Sequence, residues 1–296
     1  MNSLHSDKLS ELWSDNIQGQ KNACRQWQQC VSSPIKGLVS RMCLVAFALG
    51  VSQDYPLILA ANRDEMHERP SAPAEWWKDC PNILGGRDLL AGGTWLGVNR
   101  KGRLATGTNL RHEADNQSII SRGHLVSDYL ATEGNAKNFR EKIDKEKKIF
   151  GPFNLLIFDG AIFHYFSNRA ETARLEPGIH AISNVKRGTT LPKILRAQQG
   201  LEKCLSANDL IKCLFRLLSD ANTYDDLSIA EETERMPHDA TLFVKGPYYG
   251  TRSSTVVLFS SLGKVRFLER SFTAKGKLRE ECSYSFTLPE NSKSAP

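Results

Sequence analysis

The chain predicts an α+β fold in which stacked, largely antiparallel sheets lie between helical layers. Three observations lead there. Short apolar runs come in pairs separated by turn residues, as hairpins do. Amphipathic helical stretches interrupt them in two blocks, so the order is strands, helices, strands, helices, strands instead of regular βαβ repeats. No repeat or linker-like stretch divides the 296 residues, which predicts one domain over 42–288 with a core of ample size.

Before Met42 the sequence is polar, with isolated Trp13 and Trp27. Residues 1–41 read as a disordered extension, or as sequence upstream of a true initiator at Met42, and 289–296 as a tail. Lys21, Arg25, Lys36 and Arg41 have a faint transit-peptide character, against which stand Asp7, Glu11 and Asp15. From Cys43 to Leu49 the run CLVAFAL reads as a buried strand. A turn at Gln53–Pro56 and the apolar run Pro56–Ala61 complete a central hairpin. A Gly- and Pro-rich stretch then delivers short strands at Thr94–Val98 and Arg103–Thr108.

Ser118–Leu130 places Ile119, Ile120, Val126, Tyr129 and Leu130 near one helical face, and a charged helix follows over 135–148. Strands resume at Phe153–Phe158 and Ile162–Ser167 around the turn Asp159–Gly160, with another at Ile179–Ser183. Two helices are predicted near 191–204 and 207–219, the second capped by Ser206 with Asp209 three residues on. Strands at Thr241–Val244, Thr255–Phe259, Val265–Glu269 and Ser283–Leu288 close the chain.

Composition narrows the class. A net charge of +6, from 39 basic and 33 acidic residues, is mild. It fits an anionic small ligand and predicts no nucleic-acid partner. No apolar run is long enough to span a bilayer, which leaves transient membrane contact as the expected limit. The seven cysteines form no CxxC pair and no zinc spacing. Cys204 and Cys213 sit among Leu, Ile and Phe and read as small buried hydrophobes in a reduced, cytoplasmic chain.

The chemistry-bearing residues cluster at predicted strand ends. Asn62, Arg63, Asp64 and Glu65 end an aliphatic strand abruptly. Such a cluster reads equally as a reactive group, in which the guanidinium orients and acidifies a carboxyl, or as a structural ion-pair knot. Gly92–Gly97, with Trp95 inside it, lacks a P-loop lysine and reads as a close backbone approach in a bend. Asn109, Asn184 and Arg252 sit at or just beyond strands, where amides and guanidinium groups can stabilise an oxyanion or clamp a carboxylate.

Taken together, MCLVAFA at 42–48, LILAANRDE at 57–65, RP at 69–70, GGTWLGV at 92–98 and GRLATGTNLR at 102–111 resemble the NRDE, or transport and Golgi organisation 2, family. RGHLVSDYL at 122–130, FNLLIFD at 153–159, AISN at 181–184, YGTRSSTVVL at 249–258 and the ER at 269–270 continue the match in order.

The resemblance implies an αββα sandwich like that of the N-terminal nucleophile hydrolases. It also implies a link to intracellular haem handling, Golgi organisation and lipid metabolism. On its terms the leading expectation is a carrier of haem, or of a related hydrophobic or acyl-type anion, with haem as cargo and no nucleotide or metal cofactor. Asn62, Glu65, Trp95 and Asn109 would line the pocket. Cys43 and His67, His112, His124, His164, His180 and His238 are the candidate axial ligands. The runner-up is a hydrolase of non-peptide amide C–N bonds. Cys43, freed of residues 1–42, would attack with its own α-amine as base, Arg63 and Asp64 would hold amine and thiol, Asn184 would stabilise the oxyanion, and Arg252 would line the site. Arg63 and Asp64 are adjacent here, where such enzymes keep a few residues between them.

Overall fold

The computed structural model describes residues 43–110, 120–222 and 241–289. The expectations for the segment before Cys43, for Ser118 and Ile119, and for the tail after Pro289 fall outside those residues. Two sheets stack face to face. The first has the strand order β10-β1-β2-β11-β12-β13 and the second runs β3-β4-β5-β6-β7-β8-β9, a meander. Every pairing between these strands is antiparallel. In the first sheet β1 is Leu44–Leu49, β2 Leu57–Met66, β10 Gly178–Ile182, β11 Tyr249–Phe259, β12 Lys264–Phe272 and β13 Leu278–Thr287. In the second, β3 is Ser71–Trp76, β4 Ile83–Asp88, β5 Leu96–Asn99, β6 Leu104–Asn109, β7 Phe153–Phe158, β8 Phe163–Ser167 and β9 Ala173–Leu175.

Side chains alternate between the two faces of each strand, so every central strand serves two cores. Val45, Phe47, Leu57, Leu59, Val257 and Phe267 fill the space between the sheets with Leu96, Leu104 and Tyr165 from the other side. Leu44, Ala46, Ile58, Ala60, Val256 and Leu258 point outward under α3 (Pro192–Leu205) and α4 (Leu210–Leu218). Helices α1 (Gly123–Ala131) and α2 (Ala136–Glu146) cover the outer face of the second sheet through Val126, Tyr129, Phe139 and Ile143. The layer order is α, β, β, α, as expected.

Several elements differ from the sequence reading. β2 runs on through the polar residues to Met66 because β11 pairs with it as far as Tyr249, so Asn62–Glu65 lie within a strand and not beyond its end. β3 and β4 were not expected. β3 is an edge strand whose Pro73 sits at a register break between Ala72 and Glu75, where a missing N–H costs no ladder bond. In β4 a Cβ on Gly86 would stand 2.3 Å from the Trp95 ring, so Gly86 makes room for that indole, while a Cβ on Gly85 would stand 2.6 Å from the Leu96 carbonyl oxygen. β9 is too short to leave a sequence pattern.

Thr241–Val244 is no strand. It is a buried irregular segment whose Leu242 and Phe243 amides donate to the Asp220 carbonyl. The cap of α4 is Asp209, which accepts from the Lys212 amide, while Ser206 ends α3. Cys204 and Cys213 are joined by a disulfide across the α3–α4 pair, their Cα atoms 5.4 Å apart. They are therefore not the independent reduced thiols that their apolar neighbours implied. The close approach expected of the Gly-rich bend is present: a Cβ on Gly93 would lie 2.5 Å from the Gly123 carbonyl carbon.

Candidate functional site

The period of two divides the Asn62–Glu65 cluster. Asn62 and Asp64 share the face of Ile58 and Ala60 and point into the helix layer. There Asn62 is fully committed to structure. Its amide donates to the carbonyls of Leu218 and Leu242, each at 2.8 Å, and its oxygen accepts from Ser254 at 2.6 Å. Asp64 accepts from Thr251 at 2.6 Å and faces Lys193 of α3 at 3.3 Å, both side chains of that ion pair being wholly buried. Burial pushes the Asp64 carboxyl up, against the pull of Lys193 and Thr251. The pocket role expected for Asn62 is thus corrected, because a side chain with every polar atom engaged in the helix layer has none to offer a ligand.

Arg63 and Glu65 point the other way, between the sheets. The ladder aligns Arg63 with Ser253. One position beyond the Leu44–Asn62 pair and two beyond the Val45–Ile182 pair the same row takes in Cys43 and Asn184. Cys43, Arg63 and Asn184 are therefore neighbours across the end of one sheet. The Cys43 thiol donates to the Asp64 carbonyl at 3.6 Å, and its own carbonyl accepts from Ser183 at 2.7 Å. Burial, then the nearby Asp64 carboxylate, push this thiol up to about 11, so at neutral pH it is not a thiolate.

The Asn184 segment is pinned from the opposite sheet. Asn154 donates to the carbonyls of Ser183 and Val185, at 3.1 and 2.9 Å, and Thr108 donates to Ser183 at 3.1 Å. Tyr165 in turn donates to Asn154 at 2.6 Å. Asn184 itself is buried with its side-chain oxygen unpartnered. Asn109 does not join this group. Thr108 faces the first sheet, so alternation turns Asn109 to the α1 side, and the expected pocket role is corrected.

Arg63 lies 4.2 Å over the Trp95 ring and 4.0 Å from Glu65. Glu65 also accepts from the Met66 amide and lies 3.8 Å from Arg69. Arg252 occupies the register break of β11, which turns it toward the same region. Its Nη1 donates to the carbonyls of Met66 and His67 at 3.1 and 2.7 Å. Burial first, then the Arg63 charge, lower the Arg252 pKa from its usual value. Three buried donors here have no partner: Arg63 Nη1, Arg252 Nε and Trp95 Nε1. Buried N–H groups are seldom left so. Trp95 and Arg252 line a cleft whose free space is about 20 Å³, with Phe272 and Pro73 among its walls. That volume admits a water or a carboxylate-sized head group.

Glu269 and Lys193 were not singled out from sequence. Both carried a signal in their periodicity. Lys193 begins the buried stripe Ala197, Leu201, Cys204 of α3, and Glu269 continues the inward register of Val265 and Phe267. Among the described histidines, His124 contacts the Ala91 carbonyl at 2.6 Å and His180 the Glu176 carbonyl at 2.8 Å, while His164 lies 3.7 Å from Asp159. His67 Nε2 contacts the Gly246 carbonyl at 2.9 Å, and its buried Nδ1 is unpartnered. His112 and His238 lie outside the described residues.

Fold and site together define a four-layer α/β/β/α protein with a donor-rich cleft between its sheets. The chain belongs to the Transport and Golgi organisation 2 family, whose model matches residues 42–274. The mouse Transport and Golgi organization 2 homolog is 31% identical over 274 residues, covering 83% of this chain and 99% of its own length. The human homolog is 32% identical with the same coverage, and the Drosophila melanogaster protein is 25% identical over 78% of this chain and 93% of its own. Among solved structures, a Caenorhabditis elegans N-acylethanolamine-hydrolyzing acid amidase ortholog aligns with a TM-score of 0.44 and 12% identity, over 73% of this chain and 92% of that one. A variant of the Clostridium perfringens conjugated bile acid hydrolase aligns with a TM-score of 0.34 and 10% identity, over 85% and 92%. Among the described residues no helix is long and apolar enough to cross a membrane.

Proposed function

We propose that the chain binds a hydrophobic metabolite with an anionic head, either haem or an acyl-type carboxylate, with that head in the cleft between the two sheets. The observation that carries this is the pair of buried donors without partners on residues that line the cleft, Arg252 Nε and Trp95 Nε1. Leaving such a donor unpaired costs about 1–3 kcal/mol each, and an acceptor-rich anion offsets that cost at both. The free space suits the head alone, so the apolar body lies across the mouth, against Phe272 and Pro73. Titration of the purified protein with haem, followed by its Soret band, and with octanoate, followed by calorimetry, tests the reading. Binding that weakens at least tenfold in Arg252→Met supports it, and saturation by neither ligand at millimolar concentration defeats it. For haem, His67 is the first ligand to replace. Its Nε2 contact with the Gly246 carbonyl leaves an Nδ1 lone pair free, an arrangement common to metal-bound histidines.

Amide hydrolysis is a second reading, favoured by the row that sets Cys43 beside Arg63, one position past the Leu44–Asn62 pair. With residues 1–42 removed, the α-amine of Cys43 takes the thiol proton and sulfur bonds to the carbonyl carbon. The C–N bond then breaks, the leaving amine takes up that proton, and water releases the acid from the thioester. Within the full chain the Cys43 nitrogen is an amide and no such base exists. Intact-mass measurement of the protein from its native source decides whether a chain starting at Cys43 occurs. Turnover that survives Cys43→Ala rules this reading out.

A further inference from the structure

Glu269 is the buried charge that neither reading uses. It belongs to β12, is 1% exposed, and shares the inward register of Val265 and Phe267. One carboxyl oxygen accepts the Ala74 amide at 2.8 Å and the other accepts the Thr255 hydroxyl at 3.0 Å. The Ala74 amide sits at the register break of β3, between the paired residues Ala72 and Glu75. A kink in one sheet therefore hands its N–H to a carboxyl of the other. Glu269 also lines the cleft with Trp95 and Arg252. The cleft thus holds unpartnered donors and a carboxyl within one wall.

We propose that Glu269 faces the ligand head and makes anion uptake by this cleft proton-coupled, presenting an O–H to the bound anion and selecting heads with an acceptor oxygen to spare. This rests on the reading of the cleft as an anion site. An ionised Glu269 beside a bound carboxylate would be a like-charge pair in a poorly solvated space, which drives one of the two to take a proton. The inward-facing, hydrogen-bonded Glu269 is the better placed to do so. Burial already pushes it up to about 7, against the hydrogen bonds from Ala74 and Thr255 and the attraction of Arg63. The other charged groups around it are Arg252 on β11, and Arg279 and Glu280 on β13. Glu75 on β3 lies in the same neighbourhood, next to Tyr284. Cys282, on the adjacent strand, is pushed up to about 12 by its own burial and the Glu269 charge, so it stays neutral across the working range.

The experiment is octanoate calorimetry on the full chain at pH 6 and pH 8, each in two buffers of different ionisation enthalpy. The expected result is uptake of close to one proton per octanoate at pH 8 and close to none at pH 6, with affinity falling toward tenfold per pH unit above 7. Glu269→Gln abolishes the uptake and flattens the profile. Octanoate binding without proton uptake at pH 8 overturns the proposal and leaves the anion site standing. So does uptake that persists in Glu269→Gln. No octanoate binding at either pH overturns this proposal, and overturns the anion site as well when haem also fails to saturate. The wild-type calorimetry decides the matter even if Glu269→Gln fails to fold.

Discussion

Replacing Glu269 by Gln isolates the stability cost of a carboxyl buried between two sheets. Burial raises this group from its ordinary value of 4.5 to about 7 in the folded chain. A difference of roughly 2.5 pH units corresponds to about 3 kcal/mol. The sign follows from linkage: with the folded-state pKa raised, the stabilising contribution is complete below pH 4.5 and is lost as pH rises through 7. Gln keeps an oxygen for the Ala74 amide and does not titrate. The variant should therefore gain on the wild type by about 3 kcal/mol between pH 4 and pH 8, or roughly 6–12 °C in Tm for a domain of this size. Other carboxyls that burial raises, such as Asp64 and Asp128, are common to both proteins and cancel in the difference. Thermal or urea melts of the two proteins at both pH values measure it. An equal stability difference at pH 4 and pH 8 would refute the reasoning, since it would mean that Glu269 ionises alike in the folded and unfolded chains.

Other outcomes follow from the same site. Lys193→Met should cost about 3–5 kcal/mol by stranding Asp64 without its counterion, and adding Asp64→Asn should restore most of that in urea titrations. Asn62→Leu removes the partners of two buried carbonyls and the Ser254 hydroxyl and should lower stability by about 2–4 kcal/mol. Arg252→Met should weaken octanoate binding about 10–100-fold in calorimetry, the worth of a charge-assisted hydrogen bond. Cys43, raised from 9.0 to about 11, should alkylate with iodoacetamide roughly 100-fold more slowly at pH 7.5 than an unshifted thiol. Peptide mass spectrometry reads that rate, and labelling as fast as a model thiol would contradict the burial described.

Much of the architecture was legible because apolar runs and helical stripes are local signals. CLVAFAL, PLILAA and FNLLIF each became a strand, and the Ala197–Leu201 stripe became the buried face of α3. β3 and β4 were hidden because Pro73, Gly85 and Gly86 depress strand propensity. They are strands because neighbours pair with them and because the Trp95 ring needs the room that Gly86 leaves. The disulfide was equally illegible, since an apolar setting describes each cysteine and says nothing of the distance between them.

The candidate site divides along the same line. From the sequence alone came the cluster of Asn62 to Glu65, the strand-end amides, Trp95 in its glycine bend, and the family. Tertiary structure decided which of these residues share a space. In a half-exposed strand the polar side declares the outer face, but β1, β2 and β11 are buried on both faces. Their alternation is therefore silent about direction. Only the stacking of α3 and α4 on one side and a second sheet on the other sends Asn62 and Asp64 into structural bonds and Arg63 onto the Trp95 ring between the sheets. The same stacking brings Lys193, Glu269 and Asn154 to the site from 129, 206 and 92 residues beyond Asp64, Arg63 and Asn62, and separations of that kind are fixed by packing, which no local pattern encodes.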